Sequence, residues 1–213
     1  MPTAERWQAT WRGLGITPPD GLYEEVCRGY GESHRAYHTL RHLAECFEHF
    51  DGARHLAVRP AEVELALWFH DAIYDPRAAD SEEQSAAWAR RSLARAEATA
   101  EQIARVSDLI LATRHAGAEG PPDHAVLLDT DLSILGAPPA RFAEYESQVR
   151  QEYSWVPDEA FRKARAGILA RFLERPRIYA TDHFTRLLEA QARSNLRSSI
   201  ERLGDRSAGG IGG

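Results

Sequence analysis

Lysine is almost missing from this chain: Lys163 is the only one, and arginine supplies the rest of the positive charge. That bias points to a GC-rich bacterial genome, and it leaves many planar, phosphate-compatible forks on the protein. Cysteine is scarce as well. Cys27 and Cys46 are the two present, no CxxC pair exists, and neither a disulfide framework nor a thiolate zinc site is expected. Both read as core thiols of a reducing cytoplasm. No apolar run approaches the roughly 20 residues of a membrane helix, and the polar N-terminus has no signal-peptide core, so a cytoplasmic protein without membrane contact is expected. Positive charge is in deficit overall: the formal net charge of −6 argues against nucleic acid as a partner.

β-Branched runs are the last absence, and what fills their place is helical. Ala, Leu, Glu and Arg dominate from end to end, and glycine or proline punctuates the chain at helical intervals. The pattern predicts an all-α fold with helices at about 3–13, 19–29, 36–50, 60–74, 80–97, 99–115, 124–135, 138–154, 157–175 and 181–203. Asp80 with Glu83 and Thr99 with Gln102 have the spacing of capping boxes, and Pro60 and Pro157 suit first helical turns. No linker composition divides the body. Residues 1–206 read as one domain and 207–213 as a flexible glycine-rich tail. Trp7, Trp11 and Trp155 suit either a core or an interface, which leaves a homodimer open.

Three segments carry ionisable groups in unusual company. His34, His38 and His42 repeat at four-residue spacing; with a helix starting near Ala36, His38 and His42 share a face. A polar face with incidental histidines would look the same. The second segment, Leu65–Tyr74, is apolar all round yet contains His70 and Asp71. A buried carboxylate needs a partner or a cation, so the doublet is either a His–Asp pair bonded to a neighbouring helix or part of a metal site. The third, Leu127–Leu135, buries Asp129 and Asp131, which point to different sides of a helix. One of them is expected to face a site, and Asp129 is the better helix cap. Two imidazoles and two carboxylates form a mixed N/O set suited to a divalent transition metal such as Zn, Mn, Fe or Ni, with Mg as a further candidate. His115, at the end of its own apolar stretch, is a further candidate.

In order, His42, the His70-Asp71 doublet and Asp131 resemble the H…HD…D signature of the HD superfamily of metal-dependent phosphohydrolases. YHTLRH resembles the YHNxxxH-like element of the cyclic-nucleotide phosphodiesterases, which share that wider fold, and Asp131-Leu132-Ser133 resembles their DLS. A closer likeness is to a bacterial group of small predicted HD phosphohydrolases. RAYHTLRH, WFHDAIYD, SEEQSA, TRH, LLDTDLSILG, EYESQVRQEYSWV and ARSNL carry it, across residues 5–197. Ser81 departs from the group, which usually has Asn there.

The resemblance implies His42, His70, Asp71 and Asp131 as metal ligands and His38 as proton donor. The expected substrate is a small phosphorylated molecule, hydrolysed by metal-activated water. Asp75, read as one helical turn after Asp71, could orient that water. His115 and Glu82 are candidates for a second metal or for substrate. Arg35 and Arg114 lead the candidate phosphate clamps, ahead of Arg150 and Arg165. Glu146, Glu152, Tyr153 and Asn195 are expected to bond late helices together. An HD-type di-iron oxygenase and a non-catalytic metal- or nucleotide-binding module are the competing readings.

Overall fold

The computed structural model describes residues 1–114 and 120–205. Among these residues there are ten α-helices, two short 3-10 segments and no strand, so the chain is all-α. The helices are α1 (Ala4–Gly13), α2 (Leu22–Gly29), α3 (Leu40–Ala53), α4 (Pro60–Phe69), α5 (Ser81–Arg95), α6 (Ala100–Ala112), α7 (Pro122–Asp131), α8 (Pro139–Glu152), α9 (Asp158–Glu174) and α10 (Asp182–Asp205). Contacts divide the chain into two compact units, Met1–Asp131 and the chain from Leu132 onward. The division falls inside the apolar run Leu127–Leu135, where no linker composition marks it.

In the first unit α4 is the central element: α1, α3, α5, α6 and α7 all pack on it. Its residues from Glu62 to Phe69 are buried without exception, which is why its sequence is apolar all round. The two carboxylates that this burial would strand are paired. Glu62 takes both arms of the Arg105 guanidinium at 2.7 and 2.6 Å, and Glu64 pairs with Arg6 and Arg54. Trp7, Trp11 and Trp68 fill the space around it. Pro60 occupies the first turn of α4, and Thr99 and Gln102 form the expected capping box of α6.

Several helix ends differ from the sequence expectation, among them that of α7, which stops at Asp131 and passes into the 3-10 segment Leu132–Gly136; at three further places the local cause is visible. Helix α3 begins at Leu40, not near Ala36, because Thr39 caps it: its hydroxyl accepts from the Arg41 amide at 3.3 Å. Helix α4 ends at Phe69 with His70 as its cap, not at Tyr74. Carbonyls at and beyond that end are claimed by side chains, which is how a helix terminus is satisfied away from water. The Tyr30 hydroxyl reaches the Trp68 carbonyl at 3.3 Å, and Arg35 takes those of Asp71 and Ala72 at 2.6 and 3.1 Å. Gly29 lies beneath this exit, where a Cβ would stand 2.5 Å from the Ala72 oxygen. Asp80 precedes α5 but makes no side-chain cap; its carboxylate accepts from the side-chain Nε2 of Gln84 instead.

In the second unit, α10 packs on α9 and on the 3-10 segment Leu132–Gly136, and α8 packs on that segment too. Asn195 holds the arrangement by donating to the Leu135 and Ala137 carbonyls, both at 2.8 Å. Arg165 reaches Glu146 and the Tyr145 hydroxyl, and Ser199 donates to the other Glu146 oxygen at 2.7 Å. This is the structural role expected for Glu146 and Asn195; it also occupies Arg165. Trp7 and Trp11 are buried, whereas Trp155 is exposed.

Candidate metal centre

Three segments of the first unit converge. His42 comes from the first turn of α3, His70 and Asp71 from the exit of α4, and Asp131 from the last residue of α7. The two imidazoles meet through Nε2 atoms 3.2 Å apart. The His42 Nε2 stands 3.2 Å from Asp131 Oδ1 and 3.5 Å from Asp71 Oδ2. The His70 Nε2 stands 3.0 Å from Asp71 Oδ2 and 3.4 Å from Asp131 Oδ1. Both histidines are buried, and the carboxylates are nearly so.

These separations decide what the cluster can be. Two Nε2 atoms 3.2 Å apart cannot hydrogen-bond each other when both carry a proton, and the two positive rings then repel. A single shared proton serves one pairing and leaves the other contacts unsatisfied. Ligand atoms held about 2.1 Å from a common ion stand about 3.0 Å apart at octahedral angles and about 3.4 Å apart at tetrahedral ones. Four of the five observed spacings fall in that interval, the fifth, His42 Nε2 to Asp71 Oδ2 at 3.5 Å, lies just above it, and the donor set is the mixed imidazole and carboxylate type that transition metals take. The cluster of His42, Cys46, His70 and Asp131 could therefore hold a metal ion.

The surroundings prepare the imidazoles. The His70 Nδ1 donates to the Leu67 carbonyl at 2.8 Å, an acceptor that fixes the tautomer and leaves Nε2 free for the cluster. Burial works against protonation of His42, but Cys46, Tyr37 and the hydrogen bonds to Asp131 and Asp71 outweigh it, and its pKa stands well above the ordinary histidine value. His70 is raised in the same way, against burial, chiefly by the charge of Asp71. Burial would lift Asp71, yet the charges of His70 and His38 hold it well below the usual carboxylate range.

His38 lies in the turn before α3, so it shares no helix face with His42. The two rings still meet edge-on with centroids 5.9 Å apart, because Tyr74 stacks on His38 at 4.0 Å and Tyr37 packs against its edge at 4.9 Å. Arg35 is not placed as a phosphate clamp. Its side chain is fully buried and each arm of the guanidinium is engaged. Nε and Nη2 donate to Glu32, Nη1 to the carbonyls of His38 and Asp71, and Nη2 also to that of Ala72. One guanidinium thus ties the turn carrying His38 to the turn carrying Asp71.

Asp75 is not a helical turn after Asp71, since the helix has already ended. Its carboxylate is exposed and accepts from the Arg77 amide at 2.9 Å, which stabilises its own loop. Arg114 pairs with Glu83, so it too is engaged elsewhere. Glu82 lies half-buried in the first turn of α5, next to Ser81, whose hydroxyl accepts from the Asp75 amide. His115 lies outside the described residues. Asp129 is buried inside α7, two residues before its end.

Sequence reasoning passed over Cys46. Its sulfur lies 3.7 Å from both ring nitrogens of His42. The signal was present as the four-residue spacing from His42 on one helix face. Tyr37 and Tyr74, which hold the two histidines, left no such signal.

Comparison with protein-family models, with curated proteins and with solved structures returned no match.

Proposed function

We propose that this protein is a metal-dependent phosphohydrolase of the HD type, acting on a small phosphorylated substrate. The observation that carries the proposal is the convergence of His42, His70, Asp71 and Asp131, with spacings of 3.0 to 3.5 Å among their ligand atoms. These residues would hold a divalent transition metal. When bound, such an ion supplies Lewis acidity toward water and toward a phosphoryl oxygen.

The chain's own groups supply the rest. His38 is half-buried at the edge of the cluster and is held by Tyr74 and Tyr37. Its imidazole is placed to protonate the departing oxygen. Asp71 faces the histidines and would add its negative charge to the ligand set. Arg35 keeps the His38 and Asp71 turns at a fixed separation.

The test pairs elemental analysis of the untagged protein with a phosphoester assay on bis(p-nitrophenyl) phosphate and p-nitrophenyl phosphate. The proposal expects one or more equivalents of transition metal, turnover that chelation removes, and a loss of about 10²–10⁴-fold in rate in His38→Ala with metal content unchanged. Absence of metal after reconstitution with Mn, Zn, Fe and Ni would overturn it. Two irons per chain with no phosphatase activity would favour oxygen chemistry instead.

A further inference from the structure

The second unit has a cavity of about 480 Å³ between α8, α9 and α10 that the metal cluster does not use. That volume lies in the range of pockets for small molecules and is too small for a folded partner. Three guanidinium groups line it, from Arg150, Arg162 and Arg202, with Phe161 and Leu203 supplying apolar wall.

The charges do not cancel. Glu146 at the margin is already neutralised by Arg165 and bonded by Ser199. Asp158 alone faces the arginines, with its oxygens 3.6 Å from the Arg150 Nε and 3.3 Å from the Arg162 Nε. Arg150 is fixed from behind, since its two Nη atoms donate to the Tyr153 and Val156 carbonyls while the group lies over the Phe161 ring at 4.7 Å. The Arg162 Nε is buried and makes no hydrogen bond. Arg202 is exposed and pairs with no carboxylate among the described residues. A local surplus of positive charge on a chain of net charge −6 suits an anion.

From this arrangement we infer that the cavity binds the phosphate of a small phosphorylated molecule, with Arg162 and Arg202 as the forks and the molecule's apolar part on Phe161 and Leu203. Asp158 is a resident anion that holds the Arg162 fork in place until the ligand arrives. Guanidinium forks suit phosphate by geometry as well as charge. The site lies wholly in the second unit, so it stands whether or not the metal centre is catalytic.

The experiment is calorimetric titration of phenyl phosphate, with inorganic phosphate alongside, into the chelator-treated full-length protein at 0.15 M salt. Chelation removes any contribution from the metal centre. The wild-type protein should bind one equivalent of phenyl phosphate, and more tightly than inorganic phosphate. The double variant Arg162→Gln/Arg202→Gln should weaken binding by about tenfold or more, as loss of charged hydrogen bonds requires. Arg197→Gln, which removes an exposed arginine of α10 outside the cavity, should change it less than about twofold. Absence of binding to the wild type, or an equal loss in the double variant and in Arg197→Gln, would overturn the inference.

Discussion

Each unit of this chain buries a cluster of ionisable side chains, and the two clusters are built on opposite plans. In the second unit, Arg165 gives its N–H groups to Glu146 and to the Tyr145 hydroxyl, and Ser199 takes the remaining Glu146 oxygen. Donors meet acceptors and positive meets negative, so nothing further is needed. In the first unit, two imidazole nitrogens and two carboxylates converge, with the two nitrogens 3.2 Å apart and each 3.0 to 3.5 Å from both carboxylates. The lone pairs there outnumber the protons that could link them. A closed network needs nothing more, and a convergent one could hold an ion. The burial of the residues does not tell them apart; their stoichiometry does.

Removing one member should separate the two plans most sharply at the metal centre. Asp131→Asn is expected to lower transition-metal affinity by more than about 100-fold, beyond the range for a residue that merely supports a ligand, and to lose phosphoester turnover with it. The secondary structure should persist, since Asp131 is the last residue of its helix. Metal content by elemental analysis and circular dichroism on the same sample check both halves. Retained metal would mean that the cluster is closed after all.

The same operation on the second unit should cost stability and nothing else. Arg165→Met leaves Glu146 buried without its cation, which destabilises by about 3–5 kcal/mol. The double variant Arg165→Met/Glu146→Leu should recover most of that loss, because both charges are then gone. Denaturant unfolding measures the stability. Metal content should stay at the wild-type level in both variants, and a change there would break the distinction.

Arg35 tests the boundary between the plans, because it is a closed group that serves an open one. Arg35→Gln should lower metal affinity by about 10- to 100-fold, the usual effect of losing a residue that orients ligands. Its loss frees the turn that carries Asp71. Arg35→Lys, which keeps the charge but not the fork, should recover only part of the affinity. Equal affinity in all three proteins, measured by competition with a chromogenic chelator, would reduce Arg35 to a folding element.

How much of this was legible in the sequence follows the same division. The all-α class and nearly all the helices were readable, because periodicity and breakers are local. His42, His70, Asp71 and Asp131 were readable as candidates, because a charged doublet in an apolar helix and an aspartate in an apolar run are anomalies on their face. What escaped was whatever depended on a helix end. Asp75 was credited with a helical position that vanished when α4 stopped at Phe69, and His38 with one that vanished when Thr39 capped α3. Arg35 had the right chemistry for phosphate, and only the three-dimensional count of acceptors shows that its donors are spent. Cys46 had the spacing of a site residue but the ordinary profile of a core thiol.

The smallest expected effect is also the one whose sign separates a proton store from a metal site. In the metal-free protein, His42 and His70 have folded pKa values raised above the ordinary value, in spite of their burial, by the anionic groups around them. Groups raised in this way contribute stability in full below about pH 6.5, and that contribution is lost as pH rises through their folded values. Asp71 is lowered against its burial by His70 and His38, so its contribution is present above about pH 4 and lost as pH falls further. The metal-free protein should therefore be most stable between about pH 4 and 6.5 and weaken on the alkaline side. Metal requires the imidazoles unprotonated, so the stability that it adds must grow over the same interval as pH rises. Melting temperatures with and without chelator should diverge from pH 6 upward. Parallel curves would mean that no ion displaces the protons, and the convergent cluster would be a closed one in a different protonation state.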